Sequence, residues 1–471
     1  TSKVHLEMAR GEVEHIQLVF PSKVNEEYRF TFDRNLKGIQ ISARELKKMN
    51  GYYDALVPFK NQLKCTDTLT AVWITVQCPS RVPVGKYHQT IKIEGSKHFT
   101  IQLDYNVHHT TIPLKSSIPI TVGVENRCVA EGLNDKEADK ERQRWVDFVL
   151  SYRMTPVFGT QITPERWQYE HSFSPWAWND KRSIRLLNDR RYSCYMLPFF
   201  TLSENELASL LCNIQKKGKL KESLFYIWDE PAYMEDYEQI KQKVNIIRKY
   251  ASDARILTTF FCGPRNGPRK GDLYAVFDYL KHHIHVATIS LAPCKGNEEE
   301  VQHIRYKVPE GIDWWSYVCW QPGGNEPNFL LQMKGIQQRA IMWRTWKNGS
   351  QGFLYWNCNI YHKRNPFTYI TDMPHGDGIL IYPGDILGCK GPIASARLER
   401  WRDGAEEMEL LRLVEKNYSK EKADTLLNIV YSSPLSFIEK AHNIPFFRKE
   451  LLDQLDKTIP IDYKLRITDF I

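Results

Sequence analysis

Two adjacent carboxylates, Asp229 and Glu230, stand in the stretch LFYIWDEPAY, residues Leu224–Tyr233. The apolar run before them reads as a buried strand, and Pro231 stops it. Carboxylates at the end of such a strand are costly unless water, a partner or a substrate compensates for them. Paired acids are also the usual equipment for moving protons to and from a reacting oxygen. The bland alternative is a helix start, with Glu230 and Pro231 opening the helix that follows.

The elements around the pair favour a barrel. From about Ile118 the chain alternates short apolar strands (IPITVGV, SCYMLPFF, LFYIW, ARILTTFF, HVATISL, WWSYVCW, GFLYWN) with amphipathic helices. Residues Asp139–Tyr152 place Trp145, Phe148, Val149 and Tyr152 on one face. Residues Glu204–Lys216 do the same with Leu207, Leu210, Leu211 and Ile214, and Asp236–Tyr250 with Ile240, Val244 and Ile247. This alternation predicts a (β/α)8 barrel, whose active sites form at the carboxyl ends of the strands. An open doubly wound sheet is the competing reading, but no Gly-rich turn follows the first strand to hold a phosphate.

Ahead of the barrel, residues 1–112 alternate apolar and polar positions in HIQLVF, YRFTF, LTAVWITVQC, HQTIKIEG and HFTIQLDYNV. Short strands separated by turn residues predict an antiparallel β-sandwich. The barrel is expected over 113–411 and a helical extension over 412–471, with helical pieces at Ala423–Val430 and Phe446–Leu455.

At 471 residues and 42% apolar content the chain holds two or three domains and large cores. Its 13 Trp and 24 Tyr suit sugar binding, because aromatic faces stack on pyranose rings, although most must be core. The net charge of +8 is dispersed among 56 acidic residues, so nucleic acid is not expected as a partner. No apolar run reaches the roughly 18 residues of a membrane span. The first residue is Thr1, not Met, which leaves room for a removed leader or tag. None of the ten cysteines forms a CxxC, and the His282, His283, His285 cluster lacks metal-ligand spacing, so no metal or other cofactor is expected. Cys65 and Cys78 are a candidate pair across two strands.

Six segments together resemble glycoside hydrolase family 123, the β-N-acetylgalactosaminidases and their relatives. They are ARGEVEHIQLVF (Ala9–Phe20), VPVGKYHQTIKI (Val82–Ile93), YIWDEPAY (Tyr226–Tyr233), GFLYWNCN (Gly352–Asn359), DGILIYPGD (Asp377–Asp385) and ARLERWRDGAEEMELL (Ala396–Leu411). The resemblance implies a sandwich followed by a catalytic barrel, and a retaining hydrolase acting on terminal residues of glycans or glycolipid glycans. It also implies that the substrate's own 2-acetamido oxygen attacks the anomeric carbon, so no protein nucleophile is required; such enzymes fall outside the usual carboxylate-separation rule. Carried onto this sequence, Asp229 orients the acetamido group and Glu230 is the general acid, later the base for water. A same-fold glycosidase of other sugar specificity, or a glycan-binding protein without turnover, are the alternatives.

Further binding candidates follow from position. Trp356 ends a strand beside Asn357 and suits a stacking platform; Tyr355 alternates with it, so one of the two should face the barrel and the other the helices. Trp315 is preferred over Trp314 for the same kind of role. Asp377 and Tyr382 lie in a loop where Gly376 and Gly378 permit close approach to a sugar, or merely a tight turn. Arg397 is a candidate sugar ligand, though with Asp403 it reads more readily as an internal ion pair locking its helix.

Overall fold

The computed structural model describes residues 2–33, 38–163, 168–361, 365–367 and 375–458. The chain divides into two compact units, one of residues 1–114, 334–343 and 387–471, the other of residues 115–333 and 344–386. Residues 459–471 of the expected helical extension lie outside the described residues.

In the first unit nine strands follow in order: β1 (Ser2–Arg10), β2 (Glu12–Pro21), β3 (Glu27–Phe32), β4 (Gln40–Met49), β5 (Tyr52–Pro58), β6 (Gln62–Lys64), β7 (Leu69–Cys78), β8 (Gly85–Glu94) and β9 (His98–Thr111). They form two sheets, β1-β9-β8-β3-β6 and β2-β7-β4-β5. Period-two alternation turns Tyr28, Ile91 and Leu103 of one sheet and Phe20, Val72 and Ile74 of the other into a single apolar core. One pairing departs from the antiparallel expectation: β1 and β9 run parallel. Parallel neighbours need a long crossover, and all the strands between them supply it. Cys65 and Cys78 are both buried free thiols in this core, so the suggested pairing does not form.

The helix Ala396–Asn417 belongs to the same unit and buries an unusual number of charges, among them Arg397, Glu399, Asp403 and Glu407. Buried charges persist only when paired. His15 Nε2 lies 3.1 Å from Glu399 and 3.2 Å from Asp403, and Arg339 contacts Asp403 at 3.2 Å and Glu407 at 2.5 Å. Arg448 reaches Glu12 at 2.7 Å and Glu14 at 2.9 Å. Arg448 lies on the helix Ile444–Asp456, which packs on β1 and β9.

The second unit is built on a nine-stranded sheet: β10 (Ile120–Glu125), β11 (Thr155–Thr163), β12 (Gln168–Ser172), β13 (Tyr195–Met196), β14 (Ser223–Trp228), β15 (Arg255–Phe260), β16 (Val286–Ser290), β17 (Asp313–Val318) and β18 (Phe353–Tyr355). From β13 to β18 each strand lies beside its successor, and β18 returns to β10, whose other neighbour is β11. All of these pairings are parallel; β12 alone turns back antiparallel on β11. β12 and β13 are thus the two ends of the sheet, and the Phe173 amide spans them by donating to the Met196 carbonyl at 2.6 Å. The result is a near-closed, mainly parallel barrel. Its interior is one cluster with Val157, Met196, Leu224, Tyr226, Leu257, Val286, Trp315, Tyr317 and Leu354. No described helix is long and apolar enough to cross a membrane.

Candidate active site

Asp229 and Glu230 follow directly on β14, at its carboxyl end. Strict alternation would put Trp228 on Tyr226's side of the sheet and turn Asp229 away. The β14–β15 register instead slips between Tyr226 and Trp228. Such a bulge re-aims the residues after it. Trp228 lies under the Lys243 ammonium, 5.8 Å from its ring centre, while Asp229 sits on the inner side with Tyr226. Glu230 then takes a left-handed backbone with φ of 44°, a conformation that costs a non-glycine residue about 1 kcal/mol or more. Its amide donates to Thr259 Oγ1 at 2.9 Å, which holds the turn. The next helix begins only at Met234, its start fixed by Asp236 accepting from the Ala232 and Tyr233 amides. The carboxylate pair therefore stands before the helix, not in its first turn.

The two acids have different surroundings. Asp229 Oδ1 accepts from the Tyr226 hydroxyl at 2.7 Å and from Thr259 Oγ1 at 2.8 Å, which fixes its orientation. Glu230 Oε1 accepts a short hydrogen bond from the Tyr317 hydroxyl at the end of β17. Both acids reach solvent at the mouth of the barrel. Even so, desolvation by the surrounding protein, reinforced by the Asp229 charge, raises the Glu230 carboxyl to about 7; the Tyr317 hydrogen bond and the Arg265 charge oppose this. Glu230 can thus carry a proton near neutral pH, as a general acid must.

A pocket opens beside Asp229, lined by Thr121 and Gly123 of β10, Val157 of β11, Tyr169 and His171 of β12, and Leu354, Tyr355, Trp356 and Asn357 on and just after β18. Glu230 is not part of its lining. Trp356 packs on the barrel interior and donates from Nε1 to Asp377 Oδ1 at 3.0 Å. Tyr355 is fully buried, and its hydroxyl reaches the same oxygen at 3.2 Å. Gly378, with φ of +68°, lies so close that a Cβ there would come within 2.5 Å of the Trp356 ring. The Asp377 loop therefore positions Trp356, and the buried Asp377 carboxylate is engaged by the two aromatic side chains.

A family model described as "Glycoside hydrolase 123, catalytic domain" matches residues 140–414, more than half of the chain. The chain belongs to glycoside hydrolase family 123. Its fold agrees: a family 123 glycoside hydrolase from Clostridium perfringens, studied for glycolipid glycan hydrolysis, superposes with a TM-score of 0.67 at 13% identity, covering 100% of this chain and 96% of that one. A GH2 β-galacturonidase from Eisenbergiella tayi is far more distant, with a TM-score of 0.38 at 9% identity over 84% of this chain and 90% of that one. A comparison with curated protein sequences finds no significant match. The protein is thus a glycoside hydrolase, and its substrate is a glycan.

Of the candidates in this hydrolase, the structure brings Asp229, Trp356, Tyr355 and Asn357 to one pocket, with Glu230 at its edge and Asp377 behind it. Trp315 faces the barrel interior but lies two residues below Tyr317, fully buried and outside the pocket lining. Tyr382 is fully buried, its ring near Phe367, and is also outside that lining. Arg397 belongs to the other compact unit, buried against Asp54 at 2.9 Å. Asp403 pairs there with His15 and Arg339, so Arg397 and Asp403 each have an ion-pair partner, but not each other.

Among the side chains at the site that the sequence did not mark as ligands or supports are Thr259, Tyr317, Tyr169 and His171. Thr259 and Tyr317 sit at the upper inward positions of strands that were recognised, so strand parity could have found them. His171 stacks on Tyr226 with ring centres 4.2 Å apart, and burial depresses its imidazole to about 3, so it lines the pocket as a neutral group. It lies on β12, a polar hairpin strand with no apolar run to announce it.

Proposed function

We propose that this chain is a retaining exo-β-N-acetylgalactosaminidase acting on non-reducing ends of glycans, glycolipid glycans among them, and that the near-closed barrel is a (β/α)8 catalytic domain. The observation that carries the mechanism is the division between two neighbouring acids: Asp229 is held by two hydroxyls at the pocket, while Glu230 is raised to about 7 outside its lining.

The terminal sugar occupies the pocket with its ring against Trp356. Asp229 accepts the acetamido N–H, turns the carbonyl oxygen toward the anomeric carbon and stabilises the positive charge that develops. That oxygen attacks from the face opposite the leaving group, which requires the trans, hence β, arrangement. Glu230 gives its proton to the departing glycosidic oxygen. In the second step it takes a proton from water, which opens the oxazoline-type ring with net retention. Among the described residues, the side chains that hydrogen-bond Asp229 and Glu230 are hydroxyls of Tyr226, Thr259 and Tyr317, not carboxylates, and the substrate-assisted route needs no protein nucleophile.

The test is hydrolysis of an aryl N-acetyl-β-galactosaminide by Glu230→Gln. A loss of general acid catalysis of about 10²–10⁴-fold is expected for substrates with poor leaving groups. Near wild-type turnover on such substrates would refute the assignment.

A further inference from the structure

The pocket accounts for only one side of the carboxylate pair. Its lining comes largely from β10, β11, β12, β18 and the residues just after β18, with Asp229 at its border. Glu230 is held from the other direction, by Tyr317 of β17 and, through its amide, by Thr259 of β15. A general acid must face the bond it cleaves, so the leaving part of a glycan lies on this second side.

The chain continues from both of these supporting residues into aromatic side chains, exposed at Trp320 and half-buried at Phe261. Trp320 follows Tyr317 by three residues and is 42% exposed. Phe261 follows Thr259 by two, and the two rings stack with centres 6.4 Å apart at 25°. The Trp320 turn is braced: Asn328 Nδ2, itself fully buried, donates to the Cys319 and Pro322 carbonyls, each at 2.8 Å. A third aromatic, Tyr233, is 45% exposed just past Glu230, and the Arg265 guanidinium lies 6.0 Å from its ring centre. The Arg265 amide donates to the Ala232 carbonyl at 2.7 Å, tying the loop after β15 to the carboxylate turn. The uncovered part of a large aromatic on a braced turn gains nothing for folding and offers a flat apolar face at little ordering cost.

We propose that Trp320, backed by Phe261, is the platform for the leaving-group sugar, a neutral pyranose that presents its apolar face to the indole. This rests on the N-acetylgalactosaminidase reading above and extends it: the enzyme recognises the sugar beneath the bond it cuts as well as the terminal one. Binding energy from that second ring is used to orient the glycosidic oxygen toward Glu230.

The test compares two substrates with the same terminal sugar. One is a disaccharide of N-acetyl-β-galactosamine on a hexose; the other is N-acetyl-β-galactosaminyl fluoride, whose leaving group has no ring to stack. In Trp320→Ala the ratio of kcat/KM for the disaccharide to that for the fluoride should fall about tenfold, and Trp320→Phe should recover part of it. An unchanged ratio, or an equal fall on both substrates, overturns the platform while leaving the N-acetylgalactosaminidase reading intact. A wild-type enzyme inactive on both substrates would instead sink the N-acetylgalactosaminidase reading, and the platform with it.

Discussion

Removing the Tyr317 hydroxyl probes how Glu230 is tuned. The hydroxyl donates to Glu230, and burial together with the Glu230 charge keeps the phenol protonated far above neutral pH, so it is a permanent donor. A hydrogen bond to an ionised group contributes roughly 1.5–3 kcal/mol. Glu230 reaches solvent, which weakens the bond, so the lower end of that range applies. Tyr317→Phe therefore removes about 1.5 kcal/mol of support for the carboxylate form, or about one pKa unit. Glu230 starts from about 7. The acid must be protonated to work, so the alkaline limb of the kcat/KM profile should lie near 7 in the wild type and about one unit higher in the variant. The assay is a full pH–rate profile on an aryl N-acetyl-β-galactosaminide. A limb that stays in place, or moves to lower pH, would refute both the bond's role and the identity of the acid.

Other outcomes follow from single contacts. Asp229→Asn keeps the shape of the side chain but cannot stabilise developing positive charge; kcat should fall at least about 100-fold with the thermal midpoint little changed. Gly378→Ala should displace the Trp356 ring, since a Cβ meets it at 2.5 Å at a positive φ; KM should rise more than kcat falls, and Trp fluorescence should change. His108 in the first unit offers a pH test of stability. Burial opposes its charge, but hydrogen bonds to Asp456 and Glu7 outweigh that and raise it to about 9. A folded value above the unfolded one means stability that is complete below about 6.5 and lost as pH rises through about 9. The thermal midpoint should decline across that window, and less steeply in His108→Gln.

The barrel was legible where a strand is a dense apolar run. LFYIW, ARILTTFF, HVATISL and WWSYVCW became β14 to β17, and the helix expected over Glu204–Lys216 spans those same residues, opened by a Ser203 capping box. Besides β12, what escaped was β11, which starts at Thr155-Pro156 and contains Gly159, Thr160 and Gln161. Its apolar content is too sparse to stand out, yet it contributes Val157 and Gly159 to the pocket. At the site, position in sequence could not show depth along a strand. Trp315 has the inward parity that a ligand needs but lies one layer below Tyr317, fully buried and outside the pocket lining. The bulge that turns Asp229 inward depends on pairing with β15, a long-range property that no local pattern encodes. Arg397 shows the same limit: its charge suggested a ligand or an ion pair with Asp403, and no local pattern could name Asp54, the carboxylate on which it is buried.

In the proposed mechanism the nucleophile belongs to the substrate. This is tested most directly with aryl β-galactosaminides whose N-acetyl group carries zero, one, two or three fluorines. Each fluorine weakens the carbonyl oxygen as a nucleophile and leaves the leaving group unchanged. Participation by the acetamido oxygen predicts a steep, monotonic fall in kcat/KM across the series. A flat series would contradict it, because only a nucleophile supplied by the protein is indifferent to the acetamido group.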